Sequence, residues 1–533
     1  MFVSEIGIKL VFFLFQKVED YFYSKLFPLI TSKNKLKMTK LSDNNIIHTF
    51  LNPKSVAVIG ASKNPIKGGN RIVDNLVSNN FNGKVYPVNP NAKGEIFGLE
   101  FKNSILDIED DIDIAIFYVP NRVIPDLLKD CIKKGVKGAI IEASGFEEVG
   151  NAGLELRDEI LKITENFTKI RVVGPNCMGL TRFDESSSSE NKAGFFTSFG
   201  IFSQYNRGNI AILSQSGMLN GGYLMHVISK YPNIGFRYSC SIGNKMDIGE
   251  NEFLEYLIDD PTVNVIAIYL ESFKDPRKFL TLCKKAMTKE NKTIIMVKGG
   301  STSLGQKASH SHTGTLSEST KLIKAIMKQA NVIQANSFHE LFQYARTFSM
   351  MYNTHKKLPI KGNATMVAGS GGAGTITADL TNKHGLNFPV LSDKTYEVLL
   401  SVFPEWMPPN RFGFVDIWPA MEKAMMNNIQ PRVIMAKVYK ALIEDPEVEA
   451  VFNMLFCSKL YRGFNDLDEI IFELQNSPKP FFYWLVGEDK EVRRVSKFLS
   501  EHNIPDFPSL EEMVKNLEVL VMESKHKKSK RES

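Results

Sequence analysis

From residue 55 onward, short apolar runs rich in β-branched residues alternate with amphipathic stretches of helical period, to about residue 520. Runs that are apolar throughout predict parallel strands buried on both faces and joined by crossover helices. The first set is SVAVIG (55–60), KVYPV (84–88), DIAIFYV (113–119), KGAIIEA (137–143) and IRVVG (170–174), after which the low-complexity loop DESSSSENKAG (184–194) breaks the pattern. The second set is NIAILS (209–214), VNVIAIYLE (263–271) and KTIIMVKGG (292–300), followed by a helical stretch and the linker-like KKLPIKGN (356–363). The third is ATMVAGS (364–370), EAVFNMLF (449–456) and KPFFYWLVG (479–487). The pattern predicts three doubly wound α/β domains over 44–182, 195–352 and 360–522, with an N-terminal extension (1–43) and a basic tail (523–533). In such sheets ligands bind beyond the carboxyl ends of the strands, so the turns there are where chemistry is expected.

Composition narrows the function classes. The 533 residues suit three or four domains, and the net charge of +6 is small for that length. Much of the excess sits in KHKKSKRES (525–533), expected as a solvated end, and no basic stripe interleaved with aromatics points to nucleic acid. Five scattered cysteines, never in CxxC spacing, argue against a disulfide framework or a zinc site and fit a reducing compartment, the cytoplasm. The apolar run LVFFLF (10–15) is shorter than the ~18 residues of a spanning helix. Residues 1–37 lack Arg and carry Glu5, Glu19 and Asp20, unlike a transit peptide; they read as an appended start, with an amphipathic helix on a membrane surface as the alternative.

Four glycine turns fall at strand ends. VIGASKNPIKGG (58–69) is not GxGxxG, but its backbone N–H groups and Lys67 suit the phosphates of a nucleotide-like cofactor at a helix start. LSQSGMLNGG (213–222) and AGSGGAGTITADL (368–380) both have strand–small–helix form, each offering unpaired N–H donors. GPNCMGL (174–180) closes the last strand of the first set. A further stretch, QKASHSHTGT (306–315), holds two histidines two positions apart among small polar residues. By residue type these are a metal pair, solvated loop residues, or one reactive imidazole beside a bystander. No Cys or carboxylate cluster nearby completes a metal site, so no metal is expected.

Taken together, IGAS-x-x-P-x-K, GPNC-x-G, SQSG, IYLE, SHTG and GSGGAG occur in the order found in the α-type subunit of ADP-forming acetyl-CoA synthetases, relatives of succinyl-CoA synthetase, and the resemblance spans about residues 44–522. It implies a Rossmann-like CoA-binding domain followed by two flavodoxin-like domains. It also implies an acid–CoA ligase that interconverts acyl-CoA, phosphate and ADP with a small carboxylic acid, CoA and ATP, through an acyl phosphate and a phosphohistidine. All three units being assigned, ADP/ATP with Mg2+ would be held by a separate ATP-grasp subunit, in a hetero-oligomer such as α2β2.

The resemblance distributes roles by register. His312 matches the histidine of SHTG as phosphocarrier, on a mobile loop, and His310 is the bystander. Glu271 would orient the imidazole and favour its charged form. Ser214, Gln215, Ser216 and Gly217 would form one helix start cradling the phosphoryl group, and Gly371, Gly372, Ala373 and Gly374 the other. Two helix ends supply roughly one positive charge against a phosphoryl group of about −1.5 to −2. Gly60, Ala61, Ser62, Lys67 and Lys93 would meet CoA phosphates, and Pro120, Asn121, Asn176 and Cys177 the pantetheine arm. The chain departs from the family at GFVD (413–416), where relatives usually read Asn-Pro-Val-Asp. Two other readings stand beside this one: a CoA-binding regulatory protein without turnover, and an NAD(P)-dependent oxidoreductase, which the missing GxGxxG opposes.

Overall fold

Strands β1 (Ser55–Ile59), β2 (Lys84–Val88), β5 (Ile114–Phe117), β6 (Gly138–Ile141) and β7 (Arg171–Val173) form an all-parallel sheet in the order β2-β1-β5-β6-β7; β3 (Glu95–Ile96) and β4 (Leu99–Glu100) make a small hairpin beside it. These observations come from a computed structural model, which describes residues 45–185, 193–198, 200, 204–231, 233–313, 320–460, 467–468 and 470–532, with side chains for all of these except 309–313, 320, 322–324 and 530–532. The expected N-terminal extension, 1–43, lies outside the described residues. Every residue of β1, β5 and β6 is buried, as runs apolar on both faces require. Strand order reverses between β1 and β5, which opens a crevice at their carboxyl ends.

The second sheet has the order β14-β13-β12-β10-β11-β8-β9, from β8 (Leu180–Phe183), β9 (Gly194–Phe196), β10 (Asn206–Ser214), β11 (Gly235–Ser241), β12 (Val265–Leu270), β13 (Thr293–Lys298) and β14 (Ile333–Gln334). β8 and β9 are antiparallel additions, β8 pairing with β11. Residues 180–182, expected at the end of the first domain, are thus hydrogen-bonded into the second sheet. The order reverses between β10 and β12. The third sheet, β16-β15-β17-β18-β19, uses β15 (Ala364–Ala368), β16 (Phe414–Asp416), β17 (Ala450–Cys457), β18 (Phe481–Gly487) and β19 (Asp506–Phe507), all parallel, and reverses between β15 and β17.

The helices Phe338–Asn353 and Leu510–Glu532 lie between the second and third sheets. One hydrophobic cluster runs from Ile212 and Ala267 through Phe348 and Leu517 to Met366 and Phe452, so the two sheets share a core. Within that layer Arg346, 2% exposed, donates to the Asp506 carbonyl at 2.9 Å and pairs with its carboxylate. The first sheet is tied to the second by Arg171, which meets Asp247 through Nε at 2.8 Å and Nη2 at 2.9 Å.

The basic tail is helical and only in part a solvated end: Lys525, Lys528 and Ser529 are exposed, whereas Lys527 turns inward. The last helix continues to Glu532, and Lys527 and Glu523 are buried in it, with Lys527 donating to the Tyr352 hydroxyl at 3.1 Å and to the Glu290 carbonyl at 2.5 Å.

Candidate functional site

The crevice of the first sheet is built by close approach. Gly60 has φ +93°, and a β-carbon there would stand 2.2 Å from the Tyr118 carbonyl oxygen. A β-carbon at Gly68 would lie 2.3 Å from the Tyr118 ring, and one at Gly69 would lie 2.1 Å from the Gly60 carbonyl. The glycines therefore let the β1 turn, the start of helix Gly68–Ser78 and the end of β5 close on one another. Lys67 is the N-cap of that helix and its side chain makes no capping bond, so the first N–H donors stay open to an anion. Asn89 donates to the Ala61 carbonyl at 2.7 Å and Asn70 to the Ser62 carbonyl at 2.8 Å, fixing the turn. Lys67 and Lys93 are exposed. A third lysine that sequence reasoning passed over, Lys63, has its ammonium 3.4 Å from where a Gly94 β-carbon would be, so it spans the β1 and β2 loops.

Beyond β5 and β6 lies a cavity of about 340 Å3 lined by Tyr118, Val119, Pro120, Glu142, Ala143 and Ser144. Pro120 is among the residues that line it. The amide of Asn121, however, donates to the Gly145 carbonyl at 2.6 Å and so is engaged in holding the β6 turn. Cys177 is also turned inward: it is 4% exposed, its thiol donates to the Ile141 carbonyl at 3.3 Å, and burial pushes its pKa far up. Asn176, at φ +56°, donates to the Asn244 side chain at 3.3 Å instead.

The turn after β7 runs directly into the second sheet. Met178 N–H donates to Ser241 Oγ at 3.0 Å, and β-carbons at Gly217 and Gly221 would approach the Met178 side chain to 2.8 and 2.7 Å. The carboxyl end of the first sheet thus abuts the carboxyl end of β10. There Ser214 Oγ accepts the Ser216 N–H at 3.0 Å and donates to its carbonyl at 2.8 Å, making a tight turn. The following helix is only Gly217–Asn220, broken at Gly221 before Gly222–Lys230. The half-charge expected of a full helix end is accordingly smaller here, because few peptide dipoles are aligned.

Gln215 sits at the reversal between β10 and β12. Its side-chain oxygen accepts the N–H groups of Glu271 at 2.9 Å and Ser272 at 3.3 Å. Glu271 is half-buried, and its carboxylate accepts the Tyr269 hydroxyl at 3.1 Å. Burial first, and the Glu271 charge second, push the Tyr269 pKa up, which keeps that hydroxyl a donor. Lys298 donates to the Glu271 carbonyl at 2.6 Å, bringing a cation that sequence reasoning missed to the same strand ends.

Residues 303–313 form a helix, Ser303–Thr313, where a loop was expected. His312 is its next-to-last residue, and the helix passes beside the turn Glu147–Val149 of the first sheet's carboxyl edge. Positions two apart on a helix fall on different faces, so 310 and 312 are not equivalent. The side chains of 309–313 and all of 314–319 lie outside the described residues.

The other expected cradle, the start of helix Gly371–Lys383, belongs to the third sheet and packs on β15, β16 and the last helix. Gly371 and Gly372 are exposed, and Ser370 caps the helix by accepting the Ala373 N–H at 3.3 Å. Ala373 and Gly374 face inward, where a β-carbon at Gly374 would stand 2.2 Å from the Phe414 ring. Phe414 is the residue of the divergent GFVD stretch that demands this glycine. Among the described residues no group of three or more His, Cys, Asp or Glu could hold a metal, and no helix is long and apolar enough to cross a membrane.

Residues 54–182 match a family described as CoA binding domain, and residues 207–348 one described as succinyl-CoA ligase like flavodoxin domain. The chain is 33% identical over 498 residues to the alpha subunit of acetate–CoA ligase [ADP-forming] I of Pyrococcus furiosus, covering 91% of this chain and 99% of that one. It is 35% identical over 464 residues to acetate–CoA ligase [ADP-forming] II of Archaeoglobus fulgidus, covering 86% of this chain and 64% of the relative. Against acetate–CoA ligase [ADP-forming] of Methanocaldococcus jannaschii it is 40% identical and spans 46% of that protein. It therefore covers about half to two thirds of these longer relatives. A solved structure of Ca. Korarchaeum cryptofilum dinucleotide forming acetyl-coenzyme A synthetase 1, in complex with phosphate and ADP, is similar with a TM-score of 0.77 at 28% identity, covering 91% of this chain and 98% of that one. With its paired strand-end turns and this near-complete overlap with an alpha subunit, the chain belongs to the ADP-forming acetate–CoA ligase family.

Proposed function

We propose that this chain is the α-type subunit of a cytoplasmic acid–CoA ligase that works with a separate ATP-grasp subunit holding Mg-nucleotide. The observation that carries the reading is the abutment of the Asn176–Met178 turn on the Ser214–Gly217 turn, which brings the carboxyl end of the first sheet against that of β10, beside Gln215 and Glu271. The loops of β2, β1, β5, β6 and β7 follow one another along the first sheet in that order. A ligand whose phosphates lie at the open helix start by Lys67 would reach the β7 turn after crossing three strand spacings, about 14 Å.

In this reading phosphate attacks the thioester carbonyl, the C–S bond breaks, and CoA leaves as thiol. His312 then attacks the phosphorus of the acyl phosphate, and the carboxylate leaves. A nucleoside diphosphate oxygen finally takes the phosphoryl group from nitrogen. Glu271 would stabilise the imidazolium, with Tyr269 and Gln215 holding the carboxylate and its backbone in place. The Gly371 helix start would serve as the second phosphoryl cradle, reached through the partner-bound state.

The test is transfer of label from an acyl [32P]phosphate. The wild-type chain is expected to take up acid-labile label, His312→Ala to take up none, and His310→Ala to keep most of it. Label that survives in His312→Ala and disappears in His310→Ala would assign the other imidazole. ATP formation should appear only when an ATP-grasp subunit is added; ATP made by the purified chain alone would refute the division of labour.

A further inference from the structure

The loop 242–249, at the carboxyl end of β11, bonds to both halves of the site. On one side its backbone runs along β7 and the turn after it. Ile248 N–H donates to the Val172 carbonyl at 3.0 Å, Met246 N–H to that of Gly174 at 2.9 Å and Asn244 N–H to that of Pro175 at 2.9 Å. Gly243, at φ +53°, comes so close that a β-carbon there would stand 2.1 Å from the Pro175 carbonyl oxygen. On the other side lies Lys245, 6% exposed and held at φ +59°, a conformation uncommon for a residue with a side chain. Its ammonium donates to the Ser272 carbonyl at 2.7 Å and meets the Glu250 carboxylate at 3.1 Å. Glu250 is fully buried, and its other oxygen accepts the Lys274 N–H at 2.6 Å.

The stretch that starts at Glu271 is therefore held by three sets of partners. Gln215 accepts the N–H groups of Glu271 and Ser272, and Lys298 donates to the Glu271 carbonyl. The Lys245–Glu250 pair takes the Ser272 carbonyl and the Lys274 N–H, and it does so from a segment whose backbone is bonded to the β7 turn. Taking two ions out of water is expensive, and a buried pair is a poor source of net stability. What it supplies is a fixed geometry, because each charge must keep its partners.

We propose that Lys245 and Glu250 are positioning residues for phosphoryl transfer. By joining the β7 turn to the backbone beside Glu271, they set the distance between the CoA end of the site and the carboxylate that steadies the imidazole. Neither touches a reacting atom; both act through Glu271. The inference rests on the roles proposed above for Glu271 and His312.

Lys245→Met combined with Glu250→Gln removes both charges at nearly constant volume, and the glutamine oxygen can still accept the Lys274 N–H. In the full chain this double variant should bind CoA as the wild type does, by calorimetry, and melt near the wild-type temperature. Its saturating rate of label uptake from an acyl [32P]phosphate should nevertheless fall about 10- to 100-fold. Lys245→Met alone should melt lower, because the Glu250 charge stays buried without its cation. In a Glu271→Gln background the double change should slow uptake by less than about threefold, since its effect runs through a carboxylate already removed. Uptake that recovers together with the melting temperature in the double variant, or slowing that multiplies in full with that of Glu271→Gln, assigns the pair to stability alone and overturns the proposal. A wild-type chain that takes up no label overturns the reading of His312, and this inference with it.

Discussion

The side-chain oxygen of Gln215 accepts the backbone N–H of Glu271 at 2.9 Å, across the point where the second sheet reverses its strand order. The bond holds the two strand ends at one spacing and leaves the Glu271 carboxylate to be oriented by Tyr269. Gln215→Leu removes the side-chain acceptor shared by the Glu271 and Ser272 N–H groups, at about 1–3 kcal/mol. We expect phosphoryl transfer from an acyl phosphate to slow by about 10-fold or more while CoA affinity, measured by calorimetry, stays unchanged.

Glu271→Gln keeps the shape of the side chain but loses its charge. Losing a charge-assisted bond of about 1.5–3 kcal/mol corresponds to transfer slowed about 10- to 100-fold. Tyr269→Phe removes the hydroxyl that Glu271 accepts and should give a smaller loss in the same assay.

Gly60→Ala must force a β-carbon against the Tyr118 carbonyl 2.2 Å away, at a φ of +93°. The obstacle is backbone, so it cannot swing aside. We expect destabilisation of at least about 1–3 kcal/mol and weakened CoA binding, read by thermal melting and titration.

Arg346→Ala strips the partner from Asp506 between the second and third sheets. Breaking a buried pair on one side costs about 3–5 kcal/mol. Denaturant unfolding should register that loss. An unchanged midpoint would mean that the pair contributes nothing to the shared core.

Glu142 also predicts a pH dependence. Burial raises its folded pKa above its ordinary 4.5, so above that pH the unfolded chain releases a proton that the native chain retains. The unfolded state then binds fewer protons, and stability falls as pH rises from about 4.5 toward the folded pKa. Glu142→Gln should show a shallower decline than wild type in melts taken across that interval.

Much of this architecture was legible from the chain. Runs such as SVAVI and IAIF are buried at every position, so a continuous apolar pattern was enough to find them. β11, GFRYSCS, escaped because Gly235, Arg237 and Ser239 interrupt its pattern; pairing with both β10 and β8 is what makes it a strand. The edge strands Ile333–Gln334 and Asp506–Phe507 are too short to carry any period. Glu142 carried the same signal as Glu271, a carboxylate at the carboxyl end of a buried strand, and could have been found by the same argument.

The sequence by itself determined the long, fully buried strands, the punctuation at their ends and the kinds of group placed there, because hydrophobic period and glycine placement act over a few neighbouring residues. Only the tertiary structure decided which strand ends meet. Met178 lies against Gly217, Gln215 bridges to Glu271, and Lys527 turns inward to Tyr352, each through partners distant in the chain. Those meetings depend on shared packing, such as the core common to the second and third sheets, and the energy of burying one surface against another is not written in either segment alone.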